Sequence, residues 1–269
     1  MIHPSSPATL IAAVLVALPL AGSVARADVT LRQTSSGKAI GLSAAADSVT
    51  YIKGPRMRTE TDFGGKTRVA IFDVEAQKMY SFELGKKDAD AWDMGSLAGE
   101  LAQQVDAGAI VSSFKPNGQT RQVGGVTAAG YDTRIVVPAT LGGPGGPRMT
   151  ITNEGTVWIA KGAPGSADYA AFFQSAAEKG WIFSDPRVAK GQPGQAKAMA
   201  DMYRQFAAAG GLPYEVDMRI SVSGDGPMAA MMASLGNSEL KTTTNAVDVS
   251  PLSDELFAPP AGVKIKPRK

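Results

Sequence analysis

The sequence predicts a mainly β, α+β fold: a large, mostly antiparallel sheet covered by a few amphipathic helices. Three observations carry this. Period-two alternation dominates the body, short turn signals punctuate it, and helical periodicity is confined to three places. The clearest alternation is Glu215-Val216-Asp217-Met218-Arg219-Ile220-Ser221-Val222, apolar at every even position and polar at every odd one. Such a strand has one dry face and one wet face.

In chain order, strand patterns run over Val49 to Lys53, Arg56 to Thr61, Thr67 to Asp73, Lys78 to Leu84, Tyr131 to Val137, Met149 to Thr152 and Thr156 to Lys161, before the one at 215–222. Turn residues separate them at Gly54-Pro55, Gly64-Gly65, Asn117-Gly118, Gly124-Gly125 and Asn153-Glu154-Gly155, a spacing that predicts successive hairpins. The first helix follows Ser96, a candidate N-cap, with Leu97, Leu101 and Val105 on one stripe. The second places Tyr169, Phe172, Phe173 and Ala176 on a stripe and stops at Gly180. The third uses Met199, Met202, Tyr203 and Phe206 and ends at Gly210-Gly211. Each carries one apolar stripe, so its economical use is to cover the dry face of the sheet. Gly142 to Pro147 and Gly191 to Gly194 read as loops within one domain rather than as boundaries.

Residues 1–27 have the layout of a cleaved export signal. The apolar run Leu10 to Leu18 is too short to span a bilayer, and Ala25-Arg26-Ala27 offers small residues for cleavage after Ala27. Residues 28–269 are then one domain, periplasmic or secreted and not an integral membrane protein. The whole chain has 27 basic and 25 acidic residues, and loss of Arg26 leaves 26 against 25, which gives no reason to expect nucleic acid as a partner. The chain has no cysteine, so disulfides contribute nothing to its stability.

Its one histidine is His3, inside the export segment. The domain therefore lacks the usual general base near neutral pH, the commonest metal ligand and a thiolate nucleophile. Phe63-Gly64-Gly65-Lys66-Thr67 resembles the end of a phosphate-binding loop, but Glu60 stands where the earlier glycine belongs and strand patterns flank both sides. It reads as a hairpin turn. Ser-x-x-Lys occurs at Ser35, Ser112 and Ser238 without the companion motifs of a serine acylase. The acids Glu215 and Asp217 lie on the polar face of a strand, where a solvated surface is the ordinary explanation. Met199/Met202 and Met228/Met231/Met232 have thioether-site spacing, yet the first pair falls on a helix stripe, where methionine fills cores. Trp92, Trp158 and Trp181 end or interrupt elements and read as packing residues. No catalytic residue, metal site or cofactor is expected.

Tyr51-Ile52-Lys53-Gly54-Pro55-Arg56-Met57-Arg58-Thr59-Glu60 opens an ordered set of signatures. It continues through Ile71-Phe72-Asp73, Lys78-Met79-Tyr80, Gly124-Gly125-Val126 with Gly130-Tyr131, Val157-Trp158-Ile159-Ala160 and Gly211-Leu212-Pro213, and ends in Leu256-Phe257-Ala258-Pro259-Pro260-Ala261-Gly262-Val263. This order resembles the DUF4412 family of exported bacterial proteins and, more distantly, the LolA/LolB-like lipoprotein-carrier half-barrel superfamily, over roughly Asp28 to Lys264. The resemblance implies an open, strongly curved antiparallel half-barrel sheet wrapped over the helices, with an apolar cavity between them. The expected function is a non-catalytic carrier or sensor that binds a lipid or other apolar ligand there. The alternative is a cell-envelope protein–protein interaction module with a filled core. Residues that alternate inward on strands or lie on helix stripes are the candidates for the cavity wall: Met57, Ile71, Met79, Phe82, Tyr131, Trp158, Phe172, Met202, Phe206, Met218 and Ile220.

Overall fold

The structure is a computed structural model that describes residues 27–39, 42–104, 110–140, 146, 148–181, 183, 185–191, 193–224, 231 and 238–268. Residues 1–26 of the proposed export segment, Val105, Met228, Met232 and most of the Gly142–Pro147 loop lie outside the described residues.

Among the described residues twelve strands form one sheet that does not close. The first six, β1 (Val29–Ala39), β2 (Leu42–Lys53), β3 (Arg56–Phe63), β4 (Lys66–Asp73), β5 (Lys78–Glu83) and β6 (Asp88–Asp93), make a meander. A second meander comprises β7 (Val111–Val123), β8 (Val126–Thr140), β9 (Arg148–Ala160), β10 (Leu212–Gly224) and β11 (Ser238–Asp248). The antiparallel pair of β1 with β11 joins the two. The last strand, β12 (Lys264–Arg268), adds to β6 in parallel, so β12 and β7 are the two edges. Every other pairing is antiparallel.

Among the described residues the helices with full ranges are α1 (Met94–Gln104), α2 (Ser166–Glu178), α3 (Pro186–Gly191) and α4 (Pro193–Ala209). Tyr169, Phe172, Phe173 and Ala176 are buried on α2, as the stripe predicts. Its end is also the predicted one: Gly180 has φ +70°, its N–H donates to the Ala177 carbonyl, and that of Trp181 donates to Ala176. On α1 Leu97 and Leu101 are buried, but the cap differs from expectation. The Asp93 carboxylate accepts from the Ser96 N–H at 2.9 Å, so the helix begins earlier and Asp93 is the residue that satisfies its first turn. On α4 Phe206 is buried while Met199, Met202 and Tyr203 are half-buried.

Two predicted turns are not turns. Asn153-Glu154-Gly155 runs inside β9, which is continuous from Arg148 to Ala160. Gly155 serves close approach instead: a Cβ there would overlap the Asp217 carbonyl oxygen of β10. Asn117-Gly118 lies inside β7, where the register shifts between Pro116 and Thr120 and Gly118 takes φ +77°. It is a bulge rather than a hairpin.

Strand alternation assigns the two faces of the first meander. One row of mutually paired residues, Val29, Ile52, Met57, Phe72, Met79 and Trp92, crosses six strands, and each is under 8 % exposed. This row packs with Leu97, Leu101, Tyr169, Phe172, Phe173 and Trp181 from the helix layer. The opposite face carries Val69, Ile71, Phe82 and Ala89, packed with Phe257 and the half-buried Tyr51, Tyr80, Leu252, Leu256 and Val263. A C-terminal strap thus closes the second face. Arg58 fastens it by donating to the Leu256 carbonyl at 3.0 Å, Arg56 by pairing with Asp254 at 2.5 Å, and Lys53 by donating to the Leu252 carbonyl at 2.6 Å.

Candidate functional site

Two residues along each strand from the dry row, the helix-facing side changes character. The next paired row reads Leu31, Thr50, Thr59, Ala70, Ser81 and Asp90, and the row beyond it Gln33, Ser48, Thr61, Arg68 and Glu83. Leu31 and Thr50 are buried, but from β3 to β6 the positions of both rows are half-buried or exposed, because the helix layer does not reach down to them. A cleft of about 650 Å³ lies here, between the floor formed by β3 to β6 with β12 and a wall formed by Phe183, Asp185 and Arg187.

The wall exists because of a local helix start. The Asp185 carboxylate accepts from the Arg187 N–H at 2.9 Å, with Pro186 at the first position of α3. Phe183, two residues earlier, is set into an aromatic group with ring centroids 5.5 Å from Phe72, 5.0 Å from Phe173 and 5.1 Å from Tyr203. Rings at such separations in tilted geometry attract beyond their area burial, so the wall is a fixed one. Phe72, Met79, Ala70 and Phe183 form the apolar end of the cleft.

The mouth is charged. Arg187 grips Asp185 with a fork, Nε to Oδ1 at 2.9 Å and Nη2 to Oδ2 at 2.7 Å, and lies 3.8 Å from Asp90. Arg268 pairs with Asp90 at 2.8 Å, Lys266 pairs with Asp88, and Lys86 lies 3.9 Å from Glu83. The hydrogen bond from Arg187 holds the Asp185 carboxyl below the usual carboxylate range, and that from Lys266 does the same for Asp88. Both stay ionised well into acid. The arrangement offers a ligand an apolar surface, a floor of hydroxyls (Thr59, Thr61, Ser81) and a fixed charge pattern.

Of the eleven candidate residues from the sequence, Met79 and Phe82 border this cleft. Met57, Met79, Trp158 and Phe172 belong to the main core, and Tyr131 and Phe206 are buried in a smaller cluster with the half-buried Met202. Ile71 and Phe82 are on the strap side of the sheet, not the helix side. Met218 and Ile220 are half-buried on β10. Trp158 lies one position from Val157 and Ile159, which meet α4, so its ring takes the other face, where the Arg121 guanidinium sits 4.0 Å from its centroid. Glu215 and Asp217, read as solvated, join a network with Arg121 and Lys241, in which Glu215 is itself buried.

Sequence reasoning missed Arg68, Phe183, Asp185, Arg187, Lys266 and Arg268. Asp185-Pro186 is a legible helix start and would have located the wall. Lys266 and Arg268 carry no local signal of their site; the parallel pairing of β12 with β6 brings them there.

No family model matches the chain, DUF4412 included, and no curated protein matches it in sequence. Similar solved structures include PNGF-II, at 12 % identity and TM-score 0.35 over 89 % of this chain. The chain spans 31 % of the length of that protein. A domain from Vibrio parahaemolyticus described as an outer membrane lipoprotein-sorting protein aligns at 8 % identity and TM-score 0.30, over 86 % of this chain and 89 % of its own. A DUF1329 family protein from Desulfovibrio piger aligns at 10 % identity and TM-score 0.29, over 87 % of this chain and 91 % of its own. Among the described residues no helix is long and apolar enough to cross a membrane.

Proposed function

We propose that this chain is an exported, non-catalytic carrier or sensor of the bacterial periplasm. In this reading the sheet is a strongly curved half-barrel, and the cleft over β3 to β6 holds the apolar part of a lipid or similar amphiphile. One observation carries it: a space of about 650 Å³ that is apolar at one end (Ala70, Phe72, Met79, Phe183) and charged at the other. That size lies within the usual range of small-molecule sites, roughly 300–1,000 Å³. Burying six methylenes against the apolar end contributes about 5 kcal/mol, at ~0.8 kcal/mol each. The acids of the mouth support a binding role over a catalytic one, because cations hold Asp88 and Asp185 below the usual carboxylate range and make them poor proton carriers near neutral pH.

The test fills the cleft without touching the core. Ser81→Trp and, separately, Thr59→Trp replace half-buried floor residues of two different strands. Each variant should retain the wild-type circular dichroism and melting temperature and lose at least tenfold in affinity for a fluorescent fatty-acid probe. Undiminished uptake by both folded variants would place the ligand elsewhere.

A further inference from the structure

The charges that line the cleft do not balance. Five cations, Arg68, Lys86, Arg187, Lys266 and Arg268, face four carboxylates, Glu83, Asp88, Asp90 and Asp185. Four cations have a carboxylate within 4.0 Å: Lys86 has Glu83, Arg187 has Asp185, Lys266 has Asp88 and Arg268 has Asp90. Arg68 is left over, with no carboxylate within 4.0 Å among the described residues; its charge also acts on Asp185, but that acid is already gripped by Arg187 at 2.7 Å. Its neighbour across the ladder on β5 is Glu83, whose carboxylate is engaged with Lys86. Its neighbour on β3 is Thr61, a hydroxyl that accepts or donates but carries no charge.

From this we propose that Arg68 is the anchor for an anionic headgroup, a phosphate or a carboxylate, on the amphiphile bound in the cleft. The inference rests on the cleft reading above and narrows it to a class of ligand. Guanidinium presents two parallel N–H donors that match either anion bidentately. The ladder sets Arg68 one row beyond Ala70 and two from Phe72 and Met79, so an anion held at Arg68 leaves its chain free to run along the strand direction over Ala70 to the apolar end. Thr61 and Ser81 border the same floor and can bond the remaining oxygens. Lys266 and Arg268 are hydrogen-bonded to their acids, and the exposed Lys86 lies beyond the end of β5, so Arg68 is the cation on the floor itself. The surplus of positive charge favours an anionic headgroup over a neutral or cationic one.

The experiment compares dodecyl phosphate, dodecanol and inorganic phosphate by isothermal titration calorimetry on the full exported protein, with Arg68→Gln and Arg68→Lys. Arg68 is exposed and makes no core contact, so both variants should melt with the wild type. The wild type should bind dodecyl phosphate at least tenfold more tightly than dodecanol. Arg68→Gln should erase that ratio while leaving dodecanol affinity unchanged, and Arg68→Lys should restore part of it. Equal affinity of the wild type for dodecyl phosphate and dodecanol would overturn the anchor and leave the cleft reading intact. Inorganic phosphate binding as tightly as dodecyl phosphate would overturn the headgroup assignment in favour of free phosphate. Binding of none of the three would remove the cleft reading itself.

Discussion

Two rows of the same sheet face, two residues apart along each strand and so separated by roughly 7 Å, have opposite fates. Val29, Ile52, Met57, Phe72, Met79 and Trp92 are buried under the helices, and Phe72 meets Trp181 and Phe183 ring to ring. In the next row, Thr59, Ala70, Ser81 and Asp90 form the open floor of a cleft. Alternation decides which face a side chain takes, and both rows take the same one. What separates them is cover: the helix layer ends above the first row, and hydroxyl and charged residues occupy the second because water or a ligand meets them there. The lesson is that a dry face has a boundary along the strand, and the open cleft lies at that boundary rather than under the helices.

The comparison can be broken most forcefully in the covered region. Phe172 is 1 % exposed and among the largest fully buried side chains. Phe172→Ala should cost about 3–5 kcal/mol, as large-to-small aromatic changes do, read as a fall in the urea midpoint at constant slope. A cost under about 1 kcal/mol, far below that range, would mean the helix layer packs loosely and the distinction between the rows is not real.

A smaller effect is expected where α1 begins. Asp93→Ala removes the acceptor for the Ser96 N–H and should lower the urea midpoint by less than Phe172→Ala does, with Asp93→Asn close to neutral. Were Ser96→Ala the more damaging change, the cap would belong to Ser96 after all.

The floor of the cleft should be the most tolerant. Thr59→Ala and Ser81→Ala should each change stability by less than about 0.5 kcal/mol, the range of surface substitutions, because neither hydroxyl supports the core. A cost above about 2 kcal/mol, well outside that range, would place these residues in a packed interior and dissolve the contrast.

Acid sharpens the comparison at the wall. The Asp185 carboxyl is held below its unfolded value, so its contribution to stability is fully present above the unfolded pKa and is lost as pH falls through the lowered folded value. Melting temperatures measured from neutral pH down through the carboxylate range should therefore fall less steeply for Asp185→Asn than for the wild type below about pH 4, the ordinary carboxylate value. Parallel curves would show that the fork from Arg187 contributes nothing to folding.

Much of this was legible in the sequence, and the reasons for the rest are physical. The stripe on α2 and the stop at Gly180 were readable because both depend on local spacing. The long alternating strands were readable for the same reason. Gly155 misled because a glycine that admits a neighbouring backbone carries the same letter as one that turns the chain. Ile71 and Phe82 were assigned to the helix side because periodicity shows that a residue is buried but not under which cover; the strap that buries them begins some 170 residues later in the chain. The same strap explains the signatures that prompted the family resemblance. Arg58 of the first signature binds the Leu256 carbonyl of the last, and Arg56 binds Asp254 just ahead of it, so those residues describe how the fold is fastened. The cleft itself escaped because Arg68, Asp90, Arg187 and Arg268 come from four separate elements that only the sheet order brings together.

The most direct test of the central claim is native mass spectrometry of the protein purified gently from its source cells, followed by solvent extraction of what it carries. The account predicts a single amphiphile at close to one per chain, lost in Ser81→Trp. A clean ligand-free mass that does not shift when lipids are added would contradict it.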